Sequence, residues 1–293
     1  VLWTKILYNK RSSKKLGWKP CWFNANKFNA DLITKIKQFQ KEHNLKEDGL
    51  CGSNTFRRIL AKKEVKLEQA PNTIICEGAE VPIEWNKVVN LNEPHALQLP
   101  SRNYRRYKAN KRKPSMIVTH YDVCLSAKSC FKVLKNRKIS SHFVIDNDGT
   151  IFQMVDTQHS AWHAGIRRVN KAAIGIDISN AVYTKYQPWY RKKGFGPRPI
   201  MSGLKIHGVK LSDYLGFYPV QIEAYKVLVK TLCKHYNIPI QMPMDSNNKV
   251  LRGVSLTAKQ SKFKGIVNHF HVSRKKIDVA NLDWDQVLKE LVE

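Results

Sequence analysis

Apolar residues change period along this chain, and each change predicts an element. Between residues 28 and 60 they recur at helical spacing: Leu32, Ile33, Ile36 and Phe39 share one face of a helix that ends near Asn44, and Phe56, Ile59 and Leu60 mark a second. The turn between them, Glu47-Asp48-Gly49-Leu50-Cys51-Gly52, puts two glycines where the backbone must bend, and Ser53 or Asn54 can cap the helix that follows. From residue 116 the pattern shortens to apolar runs at 116–118, 142–145, 151–155, 174–178 and 265–267, which predict strands. Asn147-Asp148-Gly149, between the second and third of these, is a hairpin turn. Residues 221–236 return to helical period, with Ile222, Tyr225, Leu228, Val229, Leu232 and Cys233 on one face and Asn237 and Pro239 ending it. Strands interleaved with helices predict an α/β fold in which helices cover a mixed central sheet, preceded by a small all-helical domain.

Two stretches fit neither period. Residues 63–111 read as a linker and lead-in, so that the expected domains are 1–62, the linker 63–111, and 112–293. Its far end alternates basic residues with Tyr104 and Tyr107, a texture able to grip a polyanion. Residues 183–218, rich in Lys, Arg, Gly, Pro and aromatics, predict a long loop, and loops of that length inside a domain are usually functional. It is expected to rim a substrate groove.

Composition narrows the class. With 293 residues, 42% hydrophobic and 10% aromatic, the chain can bury an ordinary core in one large and one small domain, which excludes disorder throughout. Its net charge of +28 predicts an acidic partner; nucleic acid, anionic membrane, lipopolysaccharide and teichoic acid all qualify. No apolar run reaches the roughly 18 residues of a membrane span, and the stretch bracketed by Lys5 and Lys10 is too short for a signal peptide, so no export signal is expected. The six cysteines form no CxxC pair, which disfavours a cysteine-zinc site. Cys124 and Cys130 are the one pair close enough in sequence for a local disulfide.

The candidate chemistry lies at strand ends. His120 directly follows the apolar run at 116–118 and Thr119; His269 follows the last run, and Asp278 comes nine residues after it, past a basic loop. Two imidazoles and one carboxylate brought together make a three-ligand site with an open position, the pattern of catalytic zinc. His271 is a rival to His269, which is preferred because it stands closer to the end of the strand.

Four motifs in order extend this reading: Ser140-Ser141-His142-Phe143-Val144-Ile145-Asp146-Asn147-Asp148-Gly149-Thr150-Ile151-Phe152-Gln153, Ala161-Trp162-His163-Ala164-Gly165, Ile174-Gly175-Ile176-Asp177, and Asn268-His269 through Asp278. Over roughly residues 112–290 the chain resembles the type-2 N-acetylmuramoyl-L-alanine amidases, a family that includes phage lysins and peptidoglycan recognition proteins. The resemblance implies a Zn2+ ion held by His120, His269 and Asp278, Asp177 as acid-base residue in place of a more usual Glu, and Lys276 as oxyanion stabiliser. It places His163, Trp162 and Asn180 against the substrate, and leaves Ser141 where some phage relatives have a catalytic Tyr. The last motif lacks the Gly-His start and Asp-Pro-Gly finish of many relatives.

The helix, Asp-Gly-x-x-Gly turn and second helix near the start resemble a small peptidoglycan-binding domain. Together these resemblances imply a monomeric hydrolase of the lactyl-L-alanine amide in bacterial peptidoglycan, drawn also to anionic envelope polymers, with no specific nucleic acid. As a phage lysin it would move from the host cytoplasm to the periplasm and cell wall; a cellular autolysin would instead be secreted there. A non-catalytic receptor on the same fold and a basic nucleic-acid-binding protein are the competing readings. The first typically lacks a ligand that His120, His269 and Asp278 all supply here, and the second leaves those three residues unexplained.

Overall fold

Near the start of the chain, helices Ala30–Glu42 and Ser53–Gln69 form where the apolar period predicts them. Asn29 caps the first by accepting a hydrogen bond from the Leu32 amide at 3.1 Å. Leu32, Ile36, Phe39 and Ile59 pack with Trp18, Trp22 and Phe23 into one core. Gly49 carries the turn between the helices: its φ is +72°, and a Cβ there would lie 2.6 Å from Ile33 Cγ2. Gln40 holds the same turn, accepting from the Gly49 amide at 2.8 Å and donating to the Leu50 carbonyl at 3.0 Å.

A helix that the apolar period does not predict, Leu2–Leu16, completes this unit, and its buried residues are Asn9 and Ser12. Asn9 accepts from the Cys51 amide at 2.8 Å and donates to the Gly49 carbonyl at 2.9 Å, while the Ser12 hydroxyl donates to the Cys51 carbonyl. A helix docked through polar groups leaves no apolar stripe to read.

This computed structural model describes residues 2–69, 72–108 and 111–293. The chain divides into two units, Val1–Pro71 and Asn72–Glu293. The second is built on a mixed sheet of six strands: β1 (Val88–Val89), β2 (Met116–Tyr121), β3 (Phe143–Ile145), β4 (Ile151–Gln153), β5 (Ala173–Ile178) and β6 (Gly265–Asn268), in the spatial order β6-β2-β5-β3-β4-β1. Only the β3–β4 hairpin is antiparallel. Gly149 turns it with φ +81°, and a Cβ there would meet Val220 Cγ2 at 2.8 Å.

Alternation along the strands sorts their side chains onto two faces. Ile117, Phe143, Ile145, Ile174, Ile176, Ile178 and Ile266 face the long helix Pro219–Tyr236, whose Ala224, Tyr225, Leu228 and Val229 join them together with Trp284, Val287 and Leu291 of the last helix, Trp284–Val292. Each fully buried isoleucine contributes about 1.5–3 kcal/mol. The opposite face presents Met116, Val118, Ala173 and Val267, and further along Val144, which packs on Ala127 and Cys130 of helix Ala127–Arg137. His120 is the next residue of β2 on that second face.

Two expectations need correction. From residue 72 the stretch read as linker and lead-in belongs to the second unit: Thr73–Cys76 pairs with Ala79–Pro82, and Tyr104–Arg105 pairs with Ser160–Ala161. Gln153 fastens the hairpin by accepting from the Ile75 amide and donating to its carbonyl, both at 2.7 Å. Ladders of two to four residues are too short to show a period; residues 70, 71, 109 and 110 of that stretch lie outside the described residues.

The 183–218 stretch, expected as a loop, holds a helix, Gln187–Lys192, and two short ladders, Ile200–Met201 with Tyr214–Leu215 and Lys205–Ile206 with Val209–Lys210. Arg198 pins it. Its guanidinium lies between the Tyr190 and Tyr218 rings, 4.4 and 4.3 Å from their centres, and donates to Asn147 Oδ1, Gln221 Oε1 and the Ser179 and Gly216 carbonyls. All six cysteines are free thiols, Cys124 and Cys130 included. Among the described residues no helix is long and apolar enough to cross a membrane.

Candidate metal centre

His120 reaches the site from the end of β2, and His269 begins the short helix His269–Val272 directly after β6, the parallel neighbour of β2. Asp278 returns to them after the Ser273–Ile277 turn. The three side chains meet at one point: His120 Nδ1 and His269 Nδ1 are 3.0 Å apart, and Asp278 Oδ2 lies 3.0 Å from the first and 2.9 Å from the second. All three are buried, at 4%, 5% and 8% exposure, so water does not screen them. Among the described residues they are the one cluster of His, Cys, Asp or Glu donors close enough to hold a metal ion.

The electrostatics of this triangle follow from burial. Desolvation, helped by the neighbouring His269 imidazole, lowers the His120 pKa to about 4, so its ring is neutral at pH 7. Burial alone would raise the Asp278 carboxyl, but His269 and His120 beside it hold it below the carboxylate range. A neutral imidazole nitrogen, a second imidazole nitrogen and a carboxylate oxygen, each about 3 Å from the other two, are electron-rich atoms that a shared cation satisfies together. Zinc bonds of about 2.0–2.2 Å at tetrahedral angles separate such ligand atoms by roughly 3.3 Å, near the spacing found. The donor set therefore fits a zinc ion, with a coordination position left over.

His271 does not join the triangle. Its Nδ1 accepts from the Asn268 amide at 2.9 Å and its Nε2 donates to the Leu251 carbonyl at 2.6 Å. Asp177 stands beside the triangle through strand register, because it is the Cα partner of His120 across β2 and β5 and projects from the same face. Burial, and then the nearby Asp122 carboxylate, raise its pKa well above the ordinary aspartate value. Asp122 ties together the ends of β2 and β5, accepting from the Cys124 and Asn180 amides at 2.8 and 3.0 Å and from the Ser179 hydroxyl at 2.8 Å.

An open cavity of about 1430 Å³ adjoins the triangle, with His269, His163, Trp162 and Lys276 in its wall. Arg105, Arg137, Arg167, Arg168 and Lys171 line it as well, and no carboxylate is among its described lining residues. Lys276 is exposed on the loop before Asp278, and the carbonyl of that residue accepts a hydrogen bond from His207 Nε2 at 2.9 Å. His207 belongs to the 183–218 segment, which thus braces the Lys276 loop; the segment supplies no residue to the cavity wall.

Asn180, expected against the substrate, is fully buried and is not brought to the cavity. Its amide donates to the Leu215 and Gly216 carbonyls at 2.8 and 3.0 Å, and its Oδ1 accepts from the Val182 amide at 2.8 Å. His142 is engaged at both nitrogens, donating to the His159 carbonyl and accepting from the Gly175 amide, both at 2.9 Å. His159 is half-buried and stacks on Tyr104 with 5.1 Å between ring centres. Sequence reasoning did not anticipate that His163 Nδ1 lies 3.0 Å from His120 Nε2.

A parallel-centred mixed sheet with a buried His120, His269 and Asp278 triangle beside a basic cavity makes this an α/β domain built around a candidate metal centre. Residues 110–278, more than half the chain, match the family described as N-acetylmuramoyl-L-alanine amidase, and the chain belongs to that family. The N-acetylmuramoyl-L-alanine amidase AmiD of Escherichia coli (strain K12) is 26% identical over 159 residues, which are 50% of this chain and 49% of that protein. The chain thus spans about half the length of the curated relative it matches.

Among solved structures, AmiD from E. coli bound to anhydro-N-acetylmuramic acid-L-Ala-D-γ-Glu-L-Lys is 23% identical, covering 63% of this chain and 61% of that one with a TM-score of 0.38. The catalytic domain of XlyA is 21% identical, covering 70% and 99%, with a TM-score of 0.41. The endolysin LysCS from Clostridium intestinale is 18% identical, covering 70% and 95%, with a TM-score of 0.40.

Proposed function

We propose that this chain is a zinc-dependent amidase that hydrolyses the bond between the muramic acid lactyl group and L-alanine in bacterial peptidoglycan, and that it serves as a phage lysin. The observation that carries this reading is the buried triangle of His120 Nδ1, His269 Nδ1 and Asp278 Oδ2, whose His269 also lines the cavity. When bound there, zinc supplies a Lewis acid that polarises the scissile carbonyl and activates water.

The remaining work falls to the chain's own side chains. Asp177, on the same face of the sheet as His120, takes the proton of the attacking water on a carboxylate oxygen and returns it to the leaving L-alanine nitrogen. Its burial raises its pKa above the ordinary aspartate value, so that it holds the proton more firmly than an exposed aspartate until the leaving nitrogen takes it. Lys276 Nζ, on the exposed loop in the cavity wall, stabilises the negative charge that develops on the carbonyl oxygen. Trp162, 38% exposed, offers an apolar surface to the substrate, and the surrounding arginines attract the carboxylates of the stem peptide.

The helical unit at the start, with its Asp48-Gly49 turn, is assigned to holding the cell wall, and the +28 charge to anionic envelope polymers. The enzyme acts as a monomer, passing from the host cytoplasm to the wall. Digestion of purified peptidoglycan followed by mass spectrometry of the products tests this reading. Free L-alanine amino termini on released stem peptides are expected. New reducing sugar ends would contradict the assigned bond, and wall binding without any release would favour a receptor.

A further inference from the structure

His163 is a neighbour of His120 that the zinc reading leaves without a settled task. Its ring makes a T-shaped contact with that of His120, 5.1 Å between centres, and His163 Nδ1 lies 3.0 Å from His120 Nε2. The ring can sit there because β5 carries Gly175 beneath it. A Cβ at Gly175 would come within 2.7 and 2.8 Å of His163 Cγ and Cδ2, closer than real Cβ atoms approach their neighbours. Gly175 does not adopt a positive φ, so an alanine there meets a steric obstacle and no backbone one.

We infer that His163 is a positioning residue that fixes His120 in the tautomer with an unprotonated Nδ1 facing His269 and Asp278. The inference rests on the zinc reading of that triangle. A neutral imidazole carries one N–H. If His120 Nδ1 offers its lone pair to a metal, the proton must sit on Nε2 and needs an acceptor, and His163 Nδ1 is the one the fold supplies. His163 must then be neutral with its own proton on Nε2.

A ligand histidine held through its second nitrogen is oriented before the metal arrives, and losing such an outer partner typically weakens metal binding by about 10–100-fold. His163 thus performs for His120 the task that a carboxylate or backbone carbonyl performs in many zinc sites. Trp162, next to it in the same motif, lines the cavity as well.

Zinc affinity, measured by competition with a chelating dye on the full chain, tests this. His163→Leu is expected to weaken zinc binding at least about tenfold. His163→Gln, whose Oε1 can accept the same hydrogen bond, should recover most of that loss, and Gly175→Ala, which pushes the ring away, should resemble His163→Leu. Melting temperatures of the metal-free proteins are expected to stay near that of the parent. Leucine and alanine variants that hold zinc within twofold of the parent would overturn the inference while leaving the zinc site standing. Equal losses for His163→Leu and His163→Gln, tracking a loss of melting temperature, would make His163 a packing residue and overturn it as well. A parent chain that holds no zinc overturns both this inference and the reading it rests on.

Discussion

On the face covered by helix Pro219–Tyr236 the central sheet presents Thr119 and Ile176; on the other, one residue further along each strand, it presents the paired His120 and Asp177. Strand alternation alone separates them, yet the two faces obey different rules. The first is a continuous apolar layer against helix Pro219–Tyr236, in which the buried Thr119 hydroxyl is satisfied by the Tyr225 hydroxyl at 2.8 Å. The second begins apolar, with Met116 and Val118, and turns to the titratable His120 and Asp177 toward the strand ends. The stable face aligns the strands, and their alignment places His120 opposite Asp177 and β2 beside β6, from which His269 continues. Binding sites at the carboxyl ends of parallel strands follow from this division.

Substitutions on the two faces should therefore fail in different ways. His120→Ala removes one corner of the triangle and is expected to lower peptidoglycan turnover by about a thousandfold or more, with the melting temperature of the metal-free protein little changed. Turnover within tenfold of the parent would remove His120 from the ligand set. Asp177→Asn keeps size but cannot shuttle the proton, so a loss of about 10²–10⁴ in kcat is expected while zinc is still bound. Undiminished kcat would transfer acid-base duty elsewhere.

Ile176→Ala, one residue away on the covered face, should cost about 2–5 kcal/mol in denaturant unfolding yet leave kcat per folded molecule intact. If kcat fell instead, the two faces would not be separable. The smallest effect is expected in the first unit. Asn9→Ala leaves the Cys51 amide without its partner and should destabilise by about 1–3 kcal/mol, measured by unfolding of residues 1–71, with amidase activity on soluble muropeptides unaltered.

The same contrast explains what the sequence discloses. Five of the six strands and the helix Pro219–Tyr236 are legible because burial imposes apolar runs or a helical period over several residues, whereas Val88–Val89, two residues long, falls in the stretch read as linker. His120 and His269 are legible because they stand at strand ends, Asp278 because it closes the same motif nine residues after His269, and the structure brings those three together. Helix Leu2–Leu16 escapes notice because Asn9 and Ser12 dock it, so its buried stripe looks polar.

The ordered 183–218 segment escapes for a related reason. One buried side chain, Arg198, holds it through partners far apart in sequence, and no apolar rhythm runs along it. Asn180 is misread because a polar residue near strand-end chemistry looks available, whereas its amide is consumed by Leu215, Gly216 and Val182. The support His163 gives to His120 depends on a close approach across strands. Its one visible trace is Gly175 interrupting the apolar run of β5, since a glycine inside a strand often marks a neighbour pressing close.

The central claim is that His120, His269 and Asp278 hold the metal. A zinc K-edge absorption spectrum of the zinc-loaded chain tests it most directly. The account predicts two imidazole nitrogens and light oxygen scatterers at about 2.0–2.2 Å with no sulfur. Sulfur at about 2.3 Å would place zinc on the chain's cysteine thiols and contradict the account.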